Sequence, residues 1–216
     1  MVLSALATAF PGPTFRRQAR KALQEVRAAE QIEEILKSTV EFQKARKKTR
    51  PRHGFGVNFI IRYAEWSCAF YQALTAHGFG HEEAGDLVED VNWRAFQASF
   101  RLLFKVSRLR SSDPIKRVQW ISDRMFQVLF TKPFRYQWRK DRNGVAFDIH
   151  HCPLAEYIQD QGYPNLIPYA ACNLDYRMAK EWGVSLNRSQ TIATGSELCD
   201  FQFHLPQNGE NQAVDV

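Results

Sequence analysis

No apolar run in this chain approaches the roughly 20 residues needed to span a bilayer. It also contains no internal repeat and no low-complexity segment. Membrane-spanning, solenoid and linker-type architectures are therefore not expected. The opening MVLSALATAFPGP is mildly apolar but lacks the basic start and small-residue cleavage site of a secretory leader. Cysteine is scarce: Cys68, Cys152, Cys172 and Cys199 are the only four in 216 residues. That density excludes a disulfide scaffold. Three of the four fall in the C-terminal third, which points to a site or to buried thiols. A soluble, cytoplasmic protein is expected.

What is present suits a folded domain, since 44% hydrophobic and 13% aromatic residues can fill a core. The net charge of +6 is uneven, with six cations in the nine residues from Lys44 to Arg52. Such a run can address nucleic acid. No aromatic stacking motif or nucleic-acid fold accompanies it, so a solvated helix end is preferred and nucleic acid is not an expected partner.

Apolar residues from Phe15 to Val40 recur at three- and four-residue steps, which predicts a long amphipathic helix, either continuous or broken once, ending before Pro51. It is expected either to lie across the domain or to form a homodimer. Further helices are predicted from Asn58 to His77, from His81 to Leu109, and after the Ser112-Asp113-Pro114 start signal. The aromatic stripe Phe59, Tyr63, Trp66, Phe70, Tyr71 on the second of these reads as core. The period then changes to two. Phe134, Tyr136 and Trp138 alternate with polar residues, Asn143-Gly144 turns the chain, and Val145, Phe147 and Ile149 alternate on the return. Helices from Cys152 to Gln161 and from Pro164 to Trp182, then a strand pair over Val184–Ala193 and Leu198–Leu205, complete the chain. The fold class predicted is α+β: N-terminal helices packed on a C-terminal antiparallel sheet with inserted helices. The expected division is an N-terminal helical extension over 1–50, the α+β domain over 51–205, and a flexible tail over 206–216.

Chemistry-bearing groups concentrate between His150 and Phe203. Cys172 and Asp175 are three apart on a predicted helix and share a face. In the last strand Cys199, Phe201 and Phe203 face the apolar side, and Asp200, Gln202 and His204 the other. If that apolar side covers the Cys172 helix, Cys172, Asp175 and Cys199 meet, and Cys152 can join them. Two chemistries fit. Cys152, Cys172 and Cys199 could hold a zinc ion that activates water, although their spacing is not a zinc-finger pattern. Alternatively a thiol attacks a C=N or carbonyl carbon, with Asp175 or a histidine as base. The plain alternative to both is three core cysteines. Arg188 can clamp a substrate carboxylate or pair with Asp175 or Asp200.

The Cys152-Pro-Leu opening, the Cys172-x-x-Asp175 helix, the Arg188-x-x-Thr191 strand and Gly195-x-x-x-Cys199-Asp-Phe-x-Phe203 together resemble the L-2-amino-thiazoline-4-carboxylic acid hydrolase family. The resemblance is specific over the last third and general over the helical half. Its ending is also similar to that of vinyl-reductase-like ligand-binding domains, which implies helices packed on an antiparallel sheet. This chain has Gln202 where members often carry arginine, and Gly195-Ser-Glu in place of a double glycine. The resemblance implies hydrolytic opening of a cyclic amidine to an N-carbamoyl amino acid, a reaction grouped with hydrolases of carbon–nitrogen bonds in cyclic amidines. The resemblance implies a small-molecule enzyme of that kind, or a biosynthetic cyclase or isomerase derived from it. Cys172, Asp175, Cys199 and Asp200 are the candidate catalytic residues, and Arg188, Thr191 and His151 the candidate substrate-binding residues. The alternative is a non-catalytic ligand-binding or interaction module whose cysteines belong to the core or to a structural metal.

Overall fold

The chain has the α+β fold expected of it, in a computed structural model that describes residues 12–48 and 50–206. Seven α-helices and four strands lie among the described residues: α1 (Pro13–Leu23), α2 (Ala29–Lys47), α3 (Phe55–Ala76), α4 (His81–Ser107), α5 (Pro114–Val128), β1 (Arg135–Arg139), β2 (Gly144–His151), α6 (Pro153–Asp160), α7 (Asn173–Glu181), β3 (Ser185–Asn187) and β4 (Cys199–His204). The opening through Pro11 and the tail from Gln207 lie outside the described residues. No helix among the described residues is long and apolar enough to cross a membrane.

The long N-terminal stripe is broken once, into two helices. The break between Leu23 and Ala29 holds neither Gly nor Pro, but it lets each half bury its stripe against a different neighbour. Helix α1 packs on α4 through Phe15 and Ala19, and α2 packs on α3 through Ile32, Ile35 and Leu36. The apolar face offered for dimerisation is thus occupied within the chain, in the same core cluster as α3 and α4. Helix α3 begins at Phe55, three residues before the predicted Asn58 cap. The Asn58 side chain turns back instead, accepting from the His53 amide at 2.9 Å and donating to the His53 carbonyl. A Cβ at Gly56 would lie 2.0 Å from the Val128 carbonyl, so glycine alone lets α3 abut the end of α5. The start of α5 is as predicted, with the Asp113 carboxylate accepting from the amides of Ile115 and Lys116 at 2.8 and 3.4 Å.

The basic run is not a uniformly solvated helix end. Arg46 donates to the Gln72 side-chain oxygen Oε1 at 2.7 Å, and Arg50 makes a two-pronged pair with the fully buried Glu65, both contacts at 2.7 Å. Arg50→Met would strand the Glu65 carboxylate in the core. It is expected to cost about 3–5 kcal/mol and to lower the melting temperature by about 10 °C, read by thermal unfolding.

The sheet order is β1-β2-β4-β3, every neighbouring pair antiparallel. Register places Phe147 opposite Phe201 and Ile149 opposite Cys199, so these share the inner face. Helix α5 covers that face with Phe126, whose ring stacks on Tyr136 at 3.9 Å and meets Phe147 edge-on at 5.0 Å. The predicted strand over Val184–Ala193 is cut to three residues. Beyond Asn187 the chain leaves the sheet, and Thr191 caps a 3-10 turn over Ile192–Thr194 that Gly195 closes at φ +90°. The single helix predicted from Pro164 to Trp182 is divided into a 3-10 turn (Pro164–Leu166), a π turn (Pro168–Cys172) and α7. Pro168 has no N–H to continue a helical ladder and clashes with the preceding turn, so the helix restarts there.

Candidate active site

The π turn and α7 present Cys172 and Asp175 toward the segment between β3 and β4, which supplies Arg188 and Thr191. Asp175 lies in the first turn of α7, where the helix dipole favours an anion. Its carboxylate accepts from Arg188 Nη1 at 2.9 Å. Arg188 Nη2 donates to the Cys172 carbonyl at 3.0 Å. The guanidinium lies 5.0 Å from the ring centres of both Tyr176 and Phe201, and its side chain is 4% exposed. Both rings lie within cation–π reach of the buried guanidinium. The Asp175 side chain is 30% exposed and forms the more open side of the pair.

The thiols gather around Thr191. Its hydroxyl is 3.9 Å from Cys172 Sγ and 3.5 Å from Cys199 Sγ, and the Ile192 amide donates to Cys199 Sγ at 3.2 Å. Cys152, at the start of α6, is close enough for Cys172 and Cys199 to act on its titration. All are free thiols. Among the described residues, however, no three His, Cys, Asp or Glu side chains converge as a metal-ligand set. Cys152, Cys172 and Cys199, which one of the two readings of the sequence takes as a zinc set, do not form such a set among the described residues; Cys172 and Cys199 both lie against the Thr191 hydroxyl instead.

Burial raises the Cys172 thiol to about 11; Arg188 opposes that rise and Asp175 adds to it. Burial likewise raises Cys152 to about 12. Both are thus neutral thiols at pH 7 rather than ready thiolates. Burial also raises the Asp175 carboxyl, and Arg188 beside it offsets part of that rise. Desolvation alone would lower Arg188, but Asp175 and Cys172 raise it, so the cation is secure. Asp175 is the one acid–base group of this cluster shifted toward neutral pH.

Two predicted residues stand apart. Asp200 points away from the thiols, accepting from Ser189 Oγ and the Gln190 amide, each at 2.6 Å. Burial would raise it, but the Ser189 hydroxyl and the Gln190 amide outweigh burial and hold it below the usual carboxylate range. It ties down the loop that carries Arg188 and Thr191. His151 pairs through Nδ1 with the Pro133 carbonyl at 2.7 Å and through Nε2 with Glu156 at 3.1 Å. It links the approach to β1 with α6, and its recorded bonds do not reach Asp175 or Arg188.

Three residues absent from the predicted site adjoin it from the helical half. The Tyr63 hydroxyl donates to the Ala170 carbonyl inside the π turn, and Asn92 Nδ2 reaches the same carbonyl at 3.4 Å and Ser67 Oγ at 3.3 Å. Burial raises Tyr63, and the charge of Asp175 adds to the rise, which places the phenol beside the site. The available signal was polarity in apolar surroundings: Asn92 stands between Val91 and Trp93.

No curated protein and no solved structure shows a significant match to the chain. The family description L-2-amino-thiazoline-4-carboxylic acid hydrolase matches over residues 59–203, from α3 through β4. The match takes in α3 and α4 with Tyr63, Ser67 and Asn92, as well as the cysteines, Asp175, Arg188 and Thr191. The chain belongs to the L-2-amino-thiazoline-4-carboxylic acid hydrolase family.

Proposed function

We propose that the protein hydrolyses a small cyclic amidine or amide that carries a carboxylate, with Asp175 as the acid–base group. The observation that supports this most is the Asp175–Arg188 pair: a carboxyl raised by burial beside a guanidinium within cation–π reach of two aromatic rings. A substrate carboxylate is the natural competitor for Arg188. When it takes the guanidinium, Asp175 loses its cation and its carboxyl rises further, toward the range where proton transfer is most effective. Asp175 then takes a proton from water as the oxygen adds to the amidine carbon. One ring bond at that carbon breaks, and Asp175 returns the proton to the leaving ring atom. In a thiazoline that atom is sulfur or nitrogen, according to the bond that opens. Cys172, a neutral thiol, and Cys199 line the site beside the Thr191 hydroxyl.

Cytoplasmic small-molecule metabolism, including a biosynthetic role, is the setting assigned to this reaction, and the free thiols fit a reducing compartment. The test is incubation of the purified protein with L-2-amino-thiazoline-4-carboxylate and with the same ring lacking the carboxylate, products followed by mass spectrometry. The carboxylated ring should gain one water, and the ring without it should react with a KM about 100-fold higher. Equal handling of the two would remove Arg188 from substrate binding. No product from this ring or from related cyclic amidine carboxylates would defeat the hydrolase reading.

A further inference from the structure

The site is held by a brace in the helical half that is itself out of contact with solvent. Tyr63 is 6% exposed and Ser67 and Asn92 are 0% exposed, yet all three carry polar groups. Buried groups of this kind persist where they fix geometry, because each must find a partner to offset its desolvation. Here the Tyr63 hydroxyl and the Asn92 amide meet at one atom, the Ala170 carbonyl. That carbonyl lies within the π turn, two residues before Cys172 and five before Asp175. A π turn widens the helical ladder and rotates everything after it, so the direction of Cys172 and Asp175 depends on the turn being kept. Its backbone hydrogen bond, from the Asn173 amide to the Pro168 carbonyl, is one support. Packing is another, since a Cβ on Gly85 would come within 2.9 Å of the Tyr169 ring; glycine lets that ring lie flat on α4.

We propose that Tyr63 and Asn92 are positioning residues which, through the Ala170 carbonyl, lock the π turn that aims Cys172 and Asp175 into the site. The catalytic half of this assignment rests on the function proposed above; the locking of the turn does not. Ser67 orients the Asn92 amide by accepting its second hydrogen.

The experiment compares wild type, Asn92→Ala and the milder Tyr63→Phe by alkylation with iodoacetamide at pH 8, each cysteine quantified by peptide mass spectrometry. In the variants Cys172 should be alkylated about tenfold faster, the scale of one lost hydrogen bond, while the fully buried Cys68 stays unreacted. Unchanged Cys172 reactivity in both variants would overturn the proposal. So would Cys172 and Cys68 rising together, which would signal general loosening. Where ring opening is measurable, kcat should fall about tenfold in Tyr63→Phe with KM held within about twofold. An unchanged kcat would remove the positioning role. The alkylation result stands even if the ring is not a substrate, so failure of the lock and failure of the hydrolase reading are told apart.

Discussion

Asp175→Asn is expected to lower kcat for ring opening about 10³-fold while the protein remains folded, the span typical of losing a general acid–base. The substitution keeps the shape of the side chain. An amide oxygen can still accept from Arg188 Nη1, the bond now made at 2.9 Å. Losing the charge opposite the buried Arg188 should cost about 2–4 kcal/mol, inside the 5–15 kcal/mol margin of ordinary domains. With that charge goes the ability to take and return a proton. Cys172 and Cys152 are poor substitutes for it, since burial holds them at about 11 and about 12. Steady-state kinetics with a melting curve on the same sample separates chemistry from folding. A folded Asp175→Asn protein with undiminished kcat would place the proton transfer elsewhere.

Arg188→Met should show a different balance, with a loss of stability and of substrate affinity together. Methionine is long and flexible enough to keep contact with Tyr176 and Phe201, so the apolar packing is largely kept. Asp175 is left with no cation. Removing one partner of a buried pair costs about 3–5 kcal/mol; the partial exposure of Asp175 reduces that to about 2–4 kcal/mol. The sign of the pH dependence follows from the direction of the shift. Burial raises the Asp175 carboxyl, and Arg188 is the group opposing the rise, so its removal raises the carboxyl further. A carboxyl whose folded value lies above its unfolded value contributes stability at low pH and loses it as pH rises toward the folded value. The deficit of Arg188→Met in melting temperature should accordingly be small near pH 4, the ordinary carboxylate value, and grow toward pH 7. A deficit that does not vary with pH would mean that Arg188 acts by packing alone.

Much of this site is legible in local patterns. A spacing of three on a helix puts Cys172 and Asp175 on one face, and a period of two in β4 separates Cys199 from Asp200. The period of two also explains why Asp200 does not join the thiols: it is turned from Cys199 and accepts from Ser189 and Gln190 instead. What was illegible depends on distant partners. Nothing near Arg50 announces that it folds inward onto Glu65, and nothing in the aromatic stripe of α3 announces that the Tyr63 hydroxyl reaches Ala170, 107 residues away. The apolar spacing through Pro164–Trp182 is compatible with one helix; the missing N–H of Pro168 divides it and creates the π turn.

The pH dependence of kcat/KM for ring opening tests the central claim most directly. Wild type should show an acid limb above the ordinary carboxylate range, since burial raises Asp175, and the residual activity of Asp175→Asn should lack that limb. A limb that survives unchanged in Asp175→Asn would contradict the assignment of Asp175 as the group that moves the proton.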